Sequence, residues 1–245
     1  NAENLETGSR AAIAGGITSV FEMPNTNPPT SSQAEFKRKL SLAANRMYCN
    51  YAFYFGATPD NIEDLKKLNN LEGCCGVKLF VGSSTGNLLV KDEDDIEKVI
   101  SNSSKIISIH SEDEDILNIR KRFIKKGDVR SHPIWRNEEC AISSTRKVVK
   151  IAERNNKKIH ILHVTTKEEV EFLSRYKGNV TFEITPQHLT LSSPECYEKL
   201  GTLAQMNPPI REKKHQDKLW KAIVDDIADV IGPDHAPHKM TNKKK

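Results

Sequence analysis

No apolar run in the 245 residues approaches the eighteen or so that a bilayer-spanning helix requires, which excludes a transmembrane helix. The opening stretch "NAENLETGSRAA" has neither a basic n-region nor an apolar h-region, so the expected location is cytoplasmic. The five cysteines, Cys49, Cys74, Cys75, Cys140 and Cys196, form no C-x-x-C pair, which argues against a zinc ribbon and points to reduced, mostly buried thiols. Thirty-seven Lys and Arg against 33 Asp and Glu leave a net charge of only +4, and no basic stripe is interleaved with aromatics, so no nucleic-acid partner is expected. There is no Pro- or Gly-rich linker and no internal repeat, and residues 1–245 read as a single domain.

What the chain does have is alternation. Short apolar runs rich in β-branched residues, at 17–23, 50–57, 76–81, 105–110, 158–164, 179–185 and 227–234, are separated by charged amphipathic stretches. The stretches at 3–14, 31–46, 60–70, 92–101, 138–155, 166–177 and 212–226 are predicted helices. Cap signals support several of them: Thr30-Ser31-Ser32 precedes "QAEFKRKL", and "TTKEEVEFL" puts Glu168 and Glu169 in a first helical turn. Repeated βα units imply a parallel α/β sheet whose strands are buried on both faces. A closed (β/α)8 TIM-type barrel needs eight strands, so seven imply a barrel incomplete at its N-terminus, with strands 2 to 8 visible. An open doubly wound sheet is the competing fold.

In such barrels chemistry collects at the C-terminal ends of the strands. His110 follows "KIISI", His163 follows "KIHIL", Lys78 lies inside "GVKLFV", and Asp234 follows "IADVIGP". Each alone has an ordinary explanation, a hydrogen-bonded core histidine or a helix-capping aspartate. His132, His160, His188 and His215 are read as structural in that sense. Lys78 is harder to explain, because a charged lysine between Val77 and Leu79 is costly to bury. Desolvation leaves a free amine able to add carbon dioxide, and the resulting carbamate, two imidazoles and a carboxylate form a ligand set suited to zinc. Zinc in such a set polarises a carbonyl and supplies hydroxide near neutral pH.

The ordered motifs "GGITSVFEMPNTNPPT", "GVKLFVGSSTG", "IHSEDE", "ILHVTTKEE", "ITPQHLTL", "MNPPIR" and "DHAPH" resemble the amidohydrolase superfamily and, within it, the dihydroorotase family of the bacterial multi-motif type. The resemblance covers nearly the whole chain. It implies a zinc-dependent amidohydrolase barrel, with one or two zinc ions, that interconverts L-dihydroorotate and N-carbamoyl-L-aspartate in de novo pyrimidine synthesis. By matching position it makes Lys78 a carbamylated bridging metal ligand and His110 and His163 metal ligands. Asp234 becomes a ligand and the catalytic acid/base, and Asn25, Asn207 and His238 become substrate contacts. The implied partner is a small-molecule substrate, with no nucleic acid and no membrane, and a homodimer is compatible with the family.

The family's first-strand H-x-H-x-R stretch is absent from this sequence, as is its flanking β domain, so the chain is expected to be a fragment that is inactive alone. Two rival functions are a different cyclic amidohydrolase, such as a hydantoinase, dihydropyrimidinase or allantoinase, and a catalytically silent dihydroorotase-like subunit. His235 receives no chemical role, and "RSHPIWRNEE" (130–139) reads as an ordinary surface connection.

Overall fold

The computed structural model describes residues 2–82, 87–176 and 178–243. Part of the loop "GSSTGNLL", at 83–86, lies outside the described residues. Seven strands form one parallel sheet: β1 (Ser19–Glu22), β2 (Asn50–Gly56), β3 (Cys74–Phe80), β4 (Ile107–His110), β5 (Ile159–Ile161), β6 (Val180–Ile184) and β7 (Val230–Ile231). Each strand pairs with the next in sequence, from β1 through to β7. A doubly wound sheet reverses direction at a switch point, where neighbours in space cease to be neighbours in sequence. No such reversal occurs here, and the sheet is the curled half-barrel expected of an incomplete (β/α)8 fold.

The helices expected between the strands are present, among them Leu5–Ala14, Gln33–Ala43, Glu93–Asn102, Glu138–Arg154, Lys167–Leu173 and Lys213–Val224. Local chemistry sets their starts. Ser32 accepts from the amide of Glu35, and Thr166 and Glu169 form a reciprocal capping box that satisfies two amides otherwise left open at a helix start. The helices cover the outer face of the sheet. There Phe53, Phe55, Val77, Leu79, Ile107, Ile109, Ile159, Ile161 and Phe182 pack with Phe36, Ile96, Ile100, Val148, Ile151, Val170 and Leu219. Each such side chain contributes about 1.5–3 kcal/mol on leaving water.

Burial on both faces, which the runs had suggested, holds for β4 and nearly all of β3 but not for every strand. In β5 and β6 the outward residues are buried, whereas inward His160, Thr181 and Glu183 are only partly covered. Helices pack against one face alone, and the other lines the barrel interior, where polar side chains bond one another. His160 Nδ1 pairs with Thr181 Oγ1 at 2.8 Å, and Ser108 Oγ donates to Tyr54 Oη at 3.0 Å. The sheet edges are β1 and β7, and Phe21, Val230 and Ile231 on them are 60%, 43% and 56% exposed.

A second correction concerns 130–139. It holds a short helix, Ser131–Trp135, and buries His132 and Arg136, so it is no surface connection. Pro133 and the brevity of the helix hide its period from sequence reading. The cysteines are free, and all but Cys75 are buried.

Candidate active site

Lys78 enters the site because β3 alternates. Val77 and Leu79 face the outer core, which turns Lys78 inward between them. The residue is 3% exposed, and its Nζ has no hydrogen-bond partner among the described residues. The Nζ lies 4.1 Å from the centroid of the Phe80 ring. Burial lowers its pKa to about 7, against the opposing pull of Asp234 and Glu183. An amine that is half deprotonated near neutral pH and lacks a partner is available for further bonding.

His110 ends β4, and His163 lies two residues beyond β5. Because β4 and β5 are adjacent, their imidazoles meet, with His110 Nδ1 3.0 Å from His163 Nε2 and ring centroids 4.7 Å apart at 72°. Both residues are buried. Burial lowers the pKa of each, and for His163 the nearby His110 and Lys78 lower it well below the usual histidine value. His163 holds φ at 39°, a left-handed backbone that side chains other than Gly, Asn and Asp rarely adopt. Such strain gathers at functional sites.

Behind His110 stands a pair that sequence reading missed. His110 Nε2 lies 2.8 Å from Glu112 Oε2, and Arg136 Nε donates to Glu112 Oε1 at 3.2 Å while its Nη2 contacts Oε2. Glu112 is 0% and Arg136 1% exposed. Burial alone would push the Glu112 carboxyl up, but Arg136 and His110 outweigh it and hold it at about 2. The backbone carbonyl of Arg136 accepts from Arg211 Nη1, and Arg211 Nε donates to Thr165 Oγ1 at 3.2 Å, tying the segment to the loop after β5. The signal was in "HSEDE": a glutamate two residues beyond a strand-end histidine shares its side of the chain.

Asp234 follows β7, also with positive φ, at 45°. The residue is exposed, but the protein packed around its carboxyl raises the pKa, while Lys78 and His110 pull it down and Glu183 pushes it up. Asp234 therefore shares an electrostatic neighbourhood with Lys78 and His110. Glu183 underpins this corner: its Oε1 accepts from the His163 amide at 3.3 Å, and a Cβ on Gly232 would stand 2.5 Å from its Oε2. Only glycine lets the chain leaving β7 pass that close without displacing the carboxylate.

The structure thus gathers Lys78, His110, His163 and Asp234. Among the described residues, no three His, Cys, Asp or Glu side chains gather closely enough to hold a metal ion by themselves. The donor chemistry nevertheless suits one: an unpartnered lysine nitrogen stands beside two imidazole nitrogens that face each other. Asn25, Asn207 and His238 are all exposed, and no hydrogen bond joins them to the four. His132 Nε2 donates to the carbonyl of Met206, the residue before Asn207, at 2.9 Å. His188 Nε2 donates to the Pro208 carbonyl at 3.2 Å, so both histidines brace the loop that carries Asn207. His235 lies 2.9 Å from Glu3 and takes no part in the cluster.

No protein-family model matches the chain. Over 98% of its length it is 35% identical to a protein from Methanosarcina mazei named dihydroorotase, of which it covers 55%. It is 32% identical to a dihydroorotase from Pyrococcus abyssi, covering 99% of this chain and 53% of that protein. The chain spans about half the length of these curated relatives. Among solved structures, the L-hydantoinase (dihydropyrimidinase) of Arthrobacter aurescens superposes with a TM-score of 0.91 over 98% of this chain and 55% of that one, at 24% identity. The dihydropyrimidinase of Brevibacillus agri gives 0.87 at 25% identity, over 98% and 55%.

Proposed function

Since the chain is a homologue of the dihydroorotases along nearly its whole length, we propose that it forms the larger part of a single catalytic barrel that hydrolyses L-dihydroorotate reversibly to N-carbamoyl-L-aspartate. The observation that carries this reading is the convergence of Lys78, His110, His163 and Asp234 at one rim of the sheet in a chain with those relatives. The Arthrobacter hydantoinase structure supports the barrel, and at 24% identity that likeness speaks to fold alone.

In this reading Lys78, His110, His163 and Asp234 hold one or two zinc ions, which when bound polarise the ring amide carbonyl and activate water. The amine of Lys78, with its pKa near 7, adds carbon dioxide and releases a proton, giving an anionic carbamate whose oxygens are donors in place of the bare nitrogen. Asp234, its carboxyl raised in pKa, accepts the proton of the attacking water and passes it to the departing ring nitrogen. His110 and His163, held neutral by burial, keep lone pairs free for ligation. Asn207, on a loop braced from two sides by His132 and His188, orients the substrate, with Asn25 and His238 completing its contacts. The product serves de novo pyrimidine synthesis in the cytoplasm.

The test is hydrolysis of L-dihydroorotate, against a hydantoin of similar size, by the chain extended to the length of its relatives. We expect turnover of dihydroorotate and a loss of about 100- to 10,000-fold in Asp234→Asn. Turnover of the hydantoin alone rejects the assignment.

A further inference from the structure

A ligand histidine has two ring nitrogens, and what holds the second decides which one is free to bind. In His110 the two are separated cleanly: Nδ1 faces His163 Nε2 at 3.0 Å, and Nε2 faces Glu112 Oε2 at 2.8 Å. An ionised carboxylate only accepts, so the proton on Nε2 satisfies it and Nδ1 is left with its lone pair toward His163. Glu112 can play this part only if it stays ionised and does not swing away, and Arg136 secures both. Its Nε and Nη2 grip the two carboxylate oxygens separately, a forked geometry that a point charge would not give. Neither side chain has room to move, with exposures of 0% and 1%. A Cβ on Gly82 would meet the carbonyl oxygen of Glu112 at 2.2 Å, so the chain just beyond β3 also presses against the backbone that carries this carboxylate.

We infer that Glu112, gripped by Arg136, is a positioning residue that fixes His110 in the Nε2-protonated tautomer and aims Nδ1 toward His163. The inference rests on the reading of His110 and His163 as metal ligands, and it adds what makes that site selective for one orientation of the ring. A buried ion pair with a purely structural role would leave the tautomer of His110 indifferent to its loss.

Two measurements on the 245-residue chain separate these roles. The first is the tautomer of His110, read by nitrogen-15 NMR of the metal-free protein with and without Glu112→Gln. The second is zinc affinity, read by competition with a chromophoric chelator. Wild type should show a proton on Nε2 of His110. Glu112→Gln should lose that fixed tautomer and bind zinc about 10- to 100-fold more weakly. Because Glu112→Gln leaves Arg136 buried without its partner charge, the double variant Glu112→Gln/Arg136→Met provides a folded alternative with both charges removed. It should show the same loss of tautomer and affinity, and Arg136→Lys should fall between it and wild type. A proton on Nδ1 in wild type overturns the inference, as does a folded double variant with an unchanged tautomer and zinc affinity. A wild-type chain that takes up no zinc but keeps the Glu112-dependent tautomer overturns the metal reading and leaves the positioning role standing.

Discussion

Nδ1 of His110 and Nε2 of His163 face each other at 3.0 Å across the ends of two adjacent parallel strands. Two neutral imidazoles that both present lone pairs at that distance repel, unless one carries a proton between them or a cation lies in reach of both. Either nitrogen can be removed without touching the outer core, since the sheet's packing lies on its other face.

Replacing His163 by Ala should weaken zinc binding by at least about 100-fold, the share of one ligand in a binding free energy of about 10–16 kcal/mol. Chelator competition measures it. An affinity unchanged within threefold, as an order-of-magnitude bound, counts against the ligand role.

Lys78→Met should make the metal-free chain more stable, because it removes an amine buried without a partner. The folded pKa of about 7 lies below the ordinary 10.5, so between those values the unfolded chain holds a proton that the folded chain has lost. Stability of the wild type therefore rises with pH across that window, and the cost is complete below about pH 7. Urea midpoints of the two proteins should differ most at pH 6 and converge toward pH 10, as approximate limits of that window.

His188 gives a slope at lower pH. Burial depresses its pKa from 6.5 to about 4, so as pH falls between these values the unfolded chain gains a proton that the folded chain does not accept. Stability falls with decreasing pH in that window by up to about 3 kcal/mol. Comparing urea unfolding at pH 7 and pH 5, His188→Gln should be flatter than wild type. Parallel losses in the two proteins would assign the acid sensitivity elsewhere.

Gly82→Ala should cost about 1–3 kcal/mol, because the added carbon lands 2.2 Å from a backbone oxygen that no rotamer change can move. Thermal or urea unfolding reads the loss. A neutral substitution would mean that the chain after β3 yields more easily than its packing implies.

The fold was legible because hydrophobic runs in a parallel sheet announce themselves: six of the seven strands lie within the stretches from which they were expected, and β3 begins two residues early, at Cys74. What the runs concealed was sidedness. The alternation in "VTFEI" and "IHI" was present, but the neighbouring apolar residues masked it until the helices were seen to cover one face only. Lys78 stood out as a lysine in an apolar strand, whereas His110, His163 and Asp234 each had an ordinary explanation alone and were grouped by their strand-end positions and by motif resemblance. Arg136 was not, since an arginine flanked by Trp135 and Asn137 in a charged, proline-containing stretch looks like surface. Its burial follows from a partner 24 residues away, a relationship that local pattern does not carry. Asn25, Asn207 and His238 came from motif resemblance, and all three are exposed to solvent.

The strictly sequential strand order has a consequence for how the site comes into being. Lys78, His110, His163 and Asp234 belong to four separate βα units, at chain separations of 32, 53 and 71 residues, and no unit contains more than one of them. Such distant closures form late in folding, after the local helices and strand pairs. Uptake of zinc would therefore register the completion of the whole curved sheet, and a lesion anywhere along its rim would be felt as a loss of affinity at a site it never touches.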